Sequence, residues 1–139
     1  MLKNLIATVL VFVASQAFAT TPWPLEIIDH LDDATLVVFV NEADIEASPK
    51  WNPDSGAPPF GLKQMFQAVA AWKDKNDCTD TVKIEKIELK PIAHHEKEGR
   101  WYYLVQLRDE GAEKPTKRYL AILMNGKAIA AVKEPESYK

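Results

Sequence analysis

Arg118-Tyr119-Leu120-Ala121-Ile122-Leu123-Met124-Asn125-Gly126-Lys127-Ala128-Ile129-Ala130-Ala131-Val132 is the stretch whose reading decides the fold. From Tyr119 to Met124 every side chain is apolar, so a strand here presents hydrophobic surface on both faces. Asn125-Gly126 is a strong two-residue hairpin signal, because a type I′ turn needs positive φ at both central positions. Two antiparallel strands, 118–124 and 127–132, are therefore expected. Upstream, Arg100–Arg108 alternates with Trp101, Tyr103, Val105 and Leu107 on one face, after a turn at Glu98-Gly99. Gly111 and Pro115 mark the longer turn between these strands. Thr81–Leu89 also alternates, but its apolar phase steps by three between Ile84 and Ile87, which predicts a β-bulge or sharp bend. Together these segments form a meander of four antiparallel strands.

Before the meander, Leu62, Met65, Phe66, Val69 and Trp72 keep helical spacing and place one apolar stripe along a helix of about four turns. The helix should end near Lys75-Asn76-Asp77, where the pattern stops and turn formers gather. Ala34–Val40 reads as a buried strand, and Leu25, Ile28 and Leu31 predict a short N-terminal helix. Between them and the main helix, residues 43–61 hold Pro49, Pro53, Pro58, Pro59 and Gly56, and are expected to form a long irregular loop. The fold class is α+β: one long helix packed on a curved four- to five-stranded antiparallel sheet, with a short N-terminal helix.

Three segments carry a family resemblance: Gly61-Leu62-Lys63-Gln64-Met65-Phe66-Gln67-Ala68-Val69-Ala70, Arg100-Trp101-Tyr102-Tyr103-Leu104-Val105 and Ala121-Ile122-Leu123-Met124-Asn125-Gly126-Lys127. Over residues 60–132 the order of elements resembles the cystatin-like architecture and the PepSY-type modules of exported bacterial proteins. The resemblance implies a binder or inhibitor in place of a catalyst. The loop at 43–61 has no counterpart in that pattern.

The first nineteen residues follow the grammar of a secretory signal: Lys3, an apolar run from Leu5 to Ala14, then Ala17-Phe18-Ala19 before the cut. The apolar run is about half of what a membrane-spanning helix needs. The expected product is one domain over 20–133 with a flexible tail over 134–139, placed in the periplasm or secreted. Removing Lys3 with the leader leaves sixteen basic against twenty acidic residues, a net charge of −4. That balance argues against nucleic acid or an anionic membrane as partner.

Cys78 is the single cysteine, so no internal disulfide is available, and a disulfide-linked dimer is the one cross-link it permits. Asp77 and Asp80 beside it oppose thiolate formation. His94-His95, with Glu96 and Glu98 nearby, is the one cluster with copper- or zinc-ligand chemistry, although adjacent strand residues point to opposite faces. Glu42, Asp44 and Glu46 alternate, which on an extended segment reads as an acidic edge. His30 reads as a surface residue. Ser48, Ser55 and Ser137 are the serines beyond the leader, and none lies in a Gly-x-Ser-x-Gly elbow. No catalytic residue and no cofactor is assigned.

Trp51, in Lys50-Trp51-Asn52-Pro53, is a large aromatic on a proline-braced loop, a pattern that suits recognition, while Trp72 and Trp101 are assigned to the core. The expected function is an exported non-catalytic binding module of inhibitor or immunity type. It would recognise an exported or envelope partner through Trp51, Asn52 and Asp54. The alternative is a periplasmic binder of a small ligand, in a cleft lined by Tyr102, Tyr103 and Tyr119, or of a metal at His94 and His95. A small enzyme is the third reading.

Overall fold

The chain is described by a computed structural model covering residues 25–30 and 34–135. The leader assigned to residues 1–19 lies outside the described residues. β1 (Leu25–His30) and β2 (Ala34–Val40) form an antiparallel hairpin, with Leu25 opposite Val40 and His30 opposite Thr35. The helix expected from Leu25, Ile28 and Leu31 is thus a strand over residues 25–30, Leu31 lying outside the described residues. Six residues are too few to separate a period of 3.6 from one of 2, and pairing with the β-branched β2 decides the outcome. Ile27 is buried in that arrangement.

α1 (Glu42–Ala47) occupies the start of the segment expected to be irregular. Asn41 opens it, its carbonyl accepting from Asp44 and Ile45 N–H at 3.0 and 3.3 Å. Glu42 and Asp44 put negative charge in the first turn, where the helix dipole favours it. Ile45 is buried and pins the turn to the core. The acidic trio of 42, 44 and 46 therefore sits on a helix. Asp44 pairs with Lys127 across the molecule.

α2 (Leu62–Lys75) matches the expected helix in place and in its end. Gln64 Oε1 reaches back to accept from Gly61 N–H at 2.8 Å. At the other end Asp77, at φ 50°, turns the chain so that Cys78 N–H donates to Lys73 O at 3.0 Å, closing a Schellman-type stop. Of the predicted stripe, Met65 and Val69 are buried, while Leu62 and Phe66 stand 57 % and 48 % exposed. α2 meets the sheet along a seam narrower than its sequence stripe.

β3 (Val82–Pro91), β4 (Trp101–Asp109), β5 (Thr116–Leu123) and β6 (Ala128–Ala130) form the antiparallel four-stranded meander in that order. The predicted bulge is present: the β3–β4 register shifts between Ile84 and Lys86. Ile84 and Ile87 can then both pack toward α2 despite their three-residue spacing. The turn at Asn125-Gly126 differs from expectation. Gly126 N–H donates to Leu123 O at 2.9 Å and Leu123 N–H to Lys127 O at 3.0 Å, so residues 124–126 form a three-residue loop. Gly126 has positive φ, at 89°, and Asn125 does not. This is a type I turn followed by a left-handed glycine, not a type I′ turn.

After Ala131 the chain leaves the meander, and β7 (Val132–Pro135) pairs with β2 to complete a second sheet in the order β1-β2-β7. Residues 133–135, placed at the edge of the domain or in the tail by sequence, are strand, and Val132, expected to end the second hairpin strand, begins β7 instead. Each sheet thus receives part of the C-terminal segment.

The centre of the meander, β4 and β5, is covered on both faces. Tyr103, Val105, Leu107, Leu120, Ile122 and Met124 pack with Met65 and Val69 of α2. Tyr102, Leu104, Tyr119, Ala121 and Leu123 pack with Leu36, Val38 and Val40 of the second sheet, and with Ile45 of α1. The all-apolar β5 is the consequence: alternate residues feed two different cores. No helix among the described residues is long and apolar enough to cross a membrane.

Candidate functional site

The two-layer packing on the far face of the meander brings the α1 exit and the turn before β4 side by side. Arg100, buried at that turn, donates from its guanidinium to Glu46 O at 3.4 Å and to Ser48 O. A cation at the carbonyl end of a helix satisfies acceptors that the helix leaves open. The segment after Ser48 is thereby held against residues 95–101. Trp51 N–H donates to Gly99 O at 2.9 Å, and the Trp51 indole N–H donates to Gly56 O at 3.0 Å. Its ring meets Trp101 edge to face, centroids 5.2 Å apart and planes at 73°. Trp51 is half-buried, both pinned by these bonds and open on one side.

Below Trp51 the chain makes a tight 3-10 turn over Pro53–Ser55. Asn52 Oδ1 accepts from Asp54 N–H at 3.1 Å, and Ser55 Oγ–H donates to Asn52 O at 2.6 Å. Opposite, Glu96–Glu98 form a second such turn, closed by Gly99 in the left-handed region. Between the two turns lies an open cleft of about 480 Å³. One wall is Lys50, Trp51, Asn52, Pro53 and Ser55; the other is Glu96, Lys97, Glu98, Gly99 and Trp101.

Glu98 is the electrostatic centre of the second wall. His95 Nδ1 lies 3.0 Å from its Oε2 and Arg100 Nε 3.9 Å. The hydrogen bond from His95 holds the carboxyl below the usual 4.5; burial opposes it, and the charges of His95, Arg100 and Lys50 add to the lowering. At neutral pH Glu98 is therefore an acceptor with no proton to give. The cleft offers an aromatic corner, donors in Asn52 Nδ2, Lys50 and Lys97, and acceptors in Glu96, Glu98 and Ser55 Oγ.

Of the residues singled out by sequence, Trp51 and Asn52 line this cleft, and exposed Asp54 lies in the same turn outside the lining. Tyr102, Tyr103 and Tyr119 do not share a cleft. Tyr102 and Tyr119 face the second sheet, Tyr103 faces α2, and all three are buried. Tyr103 O–H donates to Phe60 O at 2.6 Å, and burial raises its pKa. The strand alternation that separates 102 from 103 forbids the cleft once both faces are covered. His94 is exposed with φ 67°, and His95 is engaged by Glu98. Among the described residues no group of three or more His, Cys, Asp or Glu side chains could hold a metal ion. Cys78 is partly buried, with Arg118 Nη1 3.7 Å from its sulfur, a basic neighbour that the adjacent aspartates did not reveal.

Trp101, Glu96–Gly99 and Arg100 belong to the site without having been assigned to it from sequence. Trp101 was placed in the core, and it does pack there in part while its remainder lines the cleft. No family model, curated protein or solved structure matches the chain.

Proposed function

We propose that this chain is an exported, non-catalytic binding module that recognises a protein or envelope partner through the cleft between residues 50–55 and 96–101. The observation that carries the reading is the edge-to-face Trp51–Trp101 pair, fixed from behind by the Trp51–Gly99 backbone bond and the indole bond to Gly56. A half-exposed indole held in one orientation loses little freedom on binding, which is how preorganised recognition surfaces gain affinity. Export to the periplasm or beyond rests on the leader grammar of residues 1–19. The cystatin-like likeness belongs to the same proposal and is supported by the order helix, then four-stranded antiparallel meander. The second sheet on the meander's far face is an addition to that plan.

A small-ligand reading is favoured by one observation, the cleft volume of about 480 Å³, which lies within the ordinary range for ligand sites. It moves the candidate cleft from the tyrosines to Trp51.

Retention of the mature protein by washed cell envelopes and by the exported proteins of the producing cell tests the proposal. The native form is expected to be retained, and folded Trp51→Ala and Asn52→Ala forms to be retained about tenfold less. Equal retention of all three forms would overturn it.

A further inference from the structure

We propose that the Trp51–Trp101 cleft is a saccharide site, taking one or two neutral sugar rings of an envelope glycan; this rests on the cleft being the recognition surface proposed above. The indole N–H of Trp51 is already donated to Gly56 O, so what Trp51 presents to the cleft is its carbon surface. Trp101 stands at 73° to it, which makes a corner of two apolar planes. A pyranose ring carries axial C–H groups on one face and hydroxyls around its rim, and it fits an aromatic plane edged by polar groups. The rim here has both hydrogen-bond senses. Asn52 Nδ2 donates, its Oδ1 being engaged by Asp54 N–H, while Ser55 Oγ has its proton committed to Asn52 O and accepts. Sugar hydroxyls need this mixture, since each one both donates and accepts.

Charge selects the neutral class. Lys50 on one wall and Lys97, Glu96 and Glu98 on the other line the cleft, two cations against two anions. Neither an anionic nor a cationic ligand is favoured by that balance. The guanidinium that would make a phosphate or carboxylate fork, Arg100, is turned into the Glu46 and Ser48 carbonyls. An extended peptide would gain its affinity from main-chain pairing at a strand edge, whereas these walls are two 3-10 turns. The turns are braced by internal hydrogen bonds before any ligand arrives, so little ordering remains to oppose weak hydroxyl contacts.

Tryptophan fluorescence titration of the mature protein with the tetrasaccharides of N-acetylglucosamine, glucose in β-1,4 linkage and glucose in α-1,4 linkage is the test. At least one should give a saturable change, weakened about tenfold by Trp51→Ala and by Asn52→Ala, and unaffected by Lys63→Ala on the exposed face of α2. Asn52 is exposed, so its variant keeps the test valid should Trp51→Ala fail to fold. No saturable change with any of the three sugars overturns the saccharide assignment. If envelope retention then still depends on Trp51, the cleft recognises another chemistry and the broader reading stands. If retention is indifferent to Trp51, both fall.

Discussion

A Cβ at Gly99 would lie 2.9 Å from the Trp51 carbonyl oxygen, on a backbone at φ +70° that side chains rarely adopt. Gly99 is thus the seat on which Trp51 rests, and its own carbonyl takes the Trp51 N–H. Gly99→Ala is expected to lower stability by about 1–3 kcal/mol, through the left-handed conformation and the forced separation of the two segments. It should also weaken the near-ultraviolet circular dichroism of the coupled Trp51–Trp101 pair. Gly56→Ala is the control: φ is +116° there, but nothing lies within 4 Å of an added Cβ. It should cost stability through backbone strain alone, with no steric separation of the two segments. A native aromatic signal in folded Gly99→Ala would show that the contact does not position Trp51. At this scale the sequence revealed Trp51 as an aromatic on a braced loop, yet not its partner. Arg100 was invisible for a clearer reason: its acceptors are main-chain carbonyls 54 and 52 residues away, and a carbonyl leaves no mark in a sequence.

Elements were legible where the pattern was long or its phase was broken, and illegible where it was short. The three-step between Ile84 and Ile87 foretold the bulge, because two apolar residues out of phase can face one core only if an extra residue is inserted. Glu85, the residue inserted, is then exposed to Gln106, Arg108 and Lys117, which together hold its carboxyl below the usual 4.5, the Gln106 hydrogen bond foremost. β1 was misread because six residues satisfied two periods. α1 was hidden by the prolines that follow it, although Asn41-Glu42-Ala43-Asp44 is an acceptable helix start. The β5–β6 turn was recognised and its type was not, which makes it testable. In a type I′ turn both Asn125 and Gly126 would need positive φ; here Gly126 alone does, and a Cβ on it would meet the Phe60 ring at 3.1 Å. Gly126→Ala should therefore cost about 1–2 kcal/mol in a denaturant titration. Asn125→Ala should cost less than about 1 kcal/mol, losing the 3.1 Å bond from Lys127 N–H to Asn125 Oδ1. Equal large losses at both positions would mean that the turn is of the primed type.

For the molecule as a whole, the decisive fact is that the apolar halves of β4 and β5, residues 102–105 and 119–123, are buried on both faces, while Thr116, Lys117 and Arg118 are exposed. The run of apolar residues from Tyr119 to Met124 announced two buried faces, but what lies over the second one was not legible, because β1 was read as a helix and residues 133–135 as a domain edge and tail. The second sheet takes Leu36, Val38 and Val40 onto Tyr102, Leu104, Ala121 and Leu123. Burial of a Leu or Val side chain contributes about 1.5–3 kcal/mol, so those three residues of β2 alone supply an amount comparable with the net stability of a small domain, about 5–15 kcal/mol. A chain shortened to begin at Asn41 keeps α2, the meander and the core between them. It should nevertheless lose cooperative thermal unfolding and bind a hydrophobic dye, because one face of β4 and β5 would stand uncovered and β7 would have no strand to pair with. The two cores share the same strands, so loosening one removes the backing of the other. A shortened chain that unfolds in one sharp transition near the temperature of the full chain, without dye binding, would mean that α2 and the meander fold independently. In that case the hairpin of β1 and β2 would be an appendage to the domain and not half of its interior.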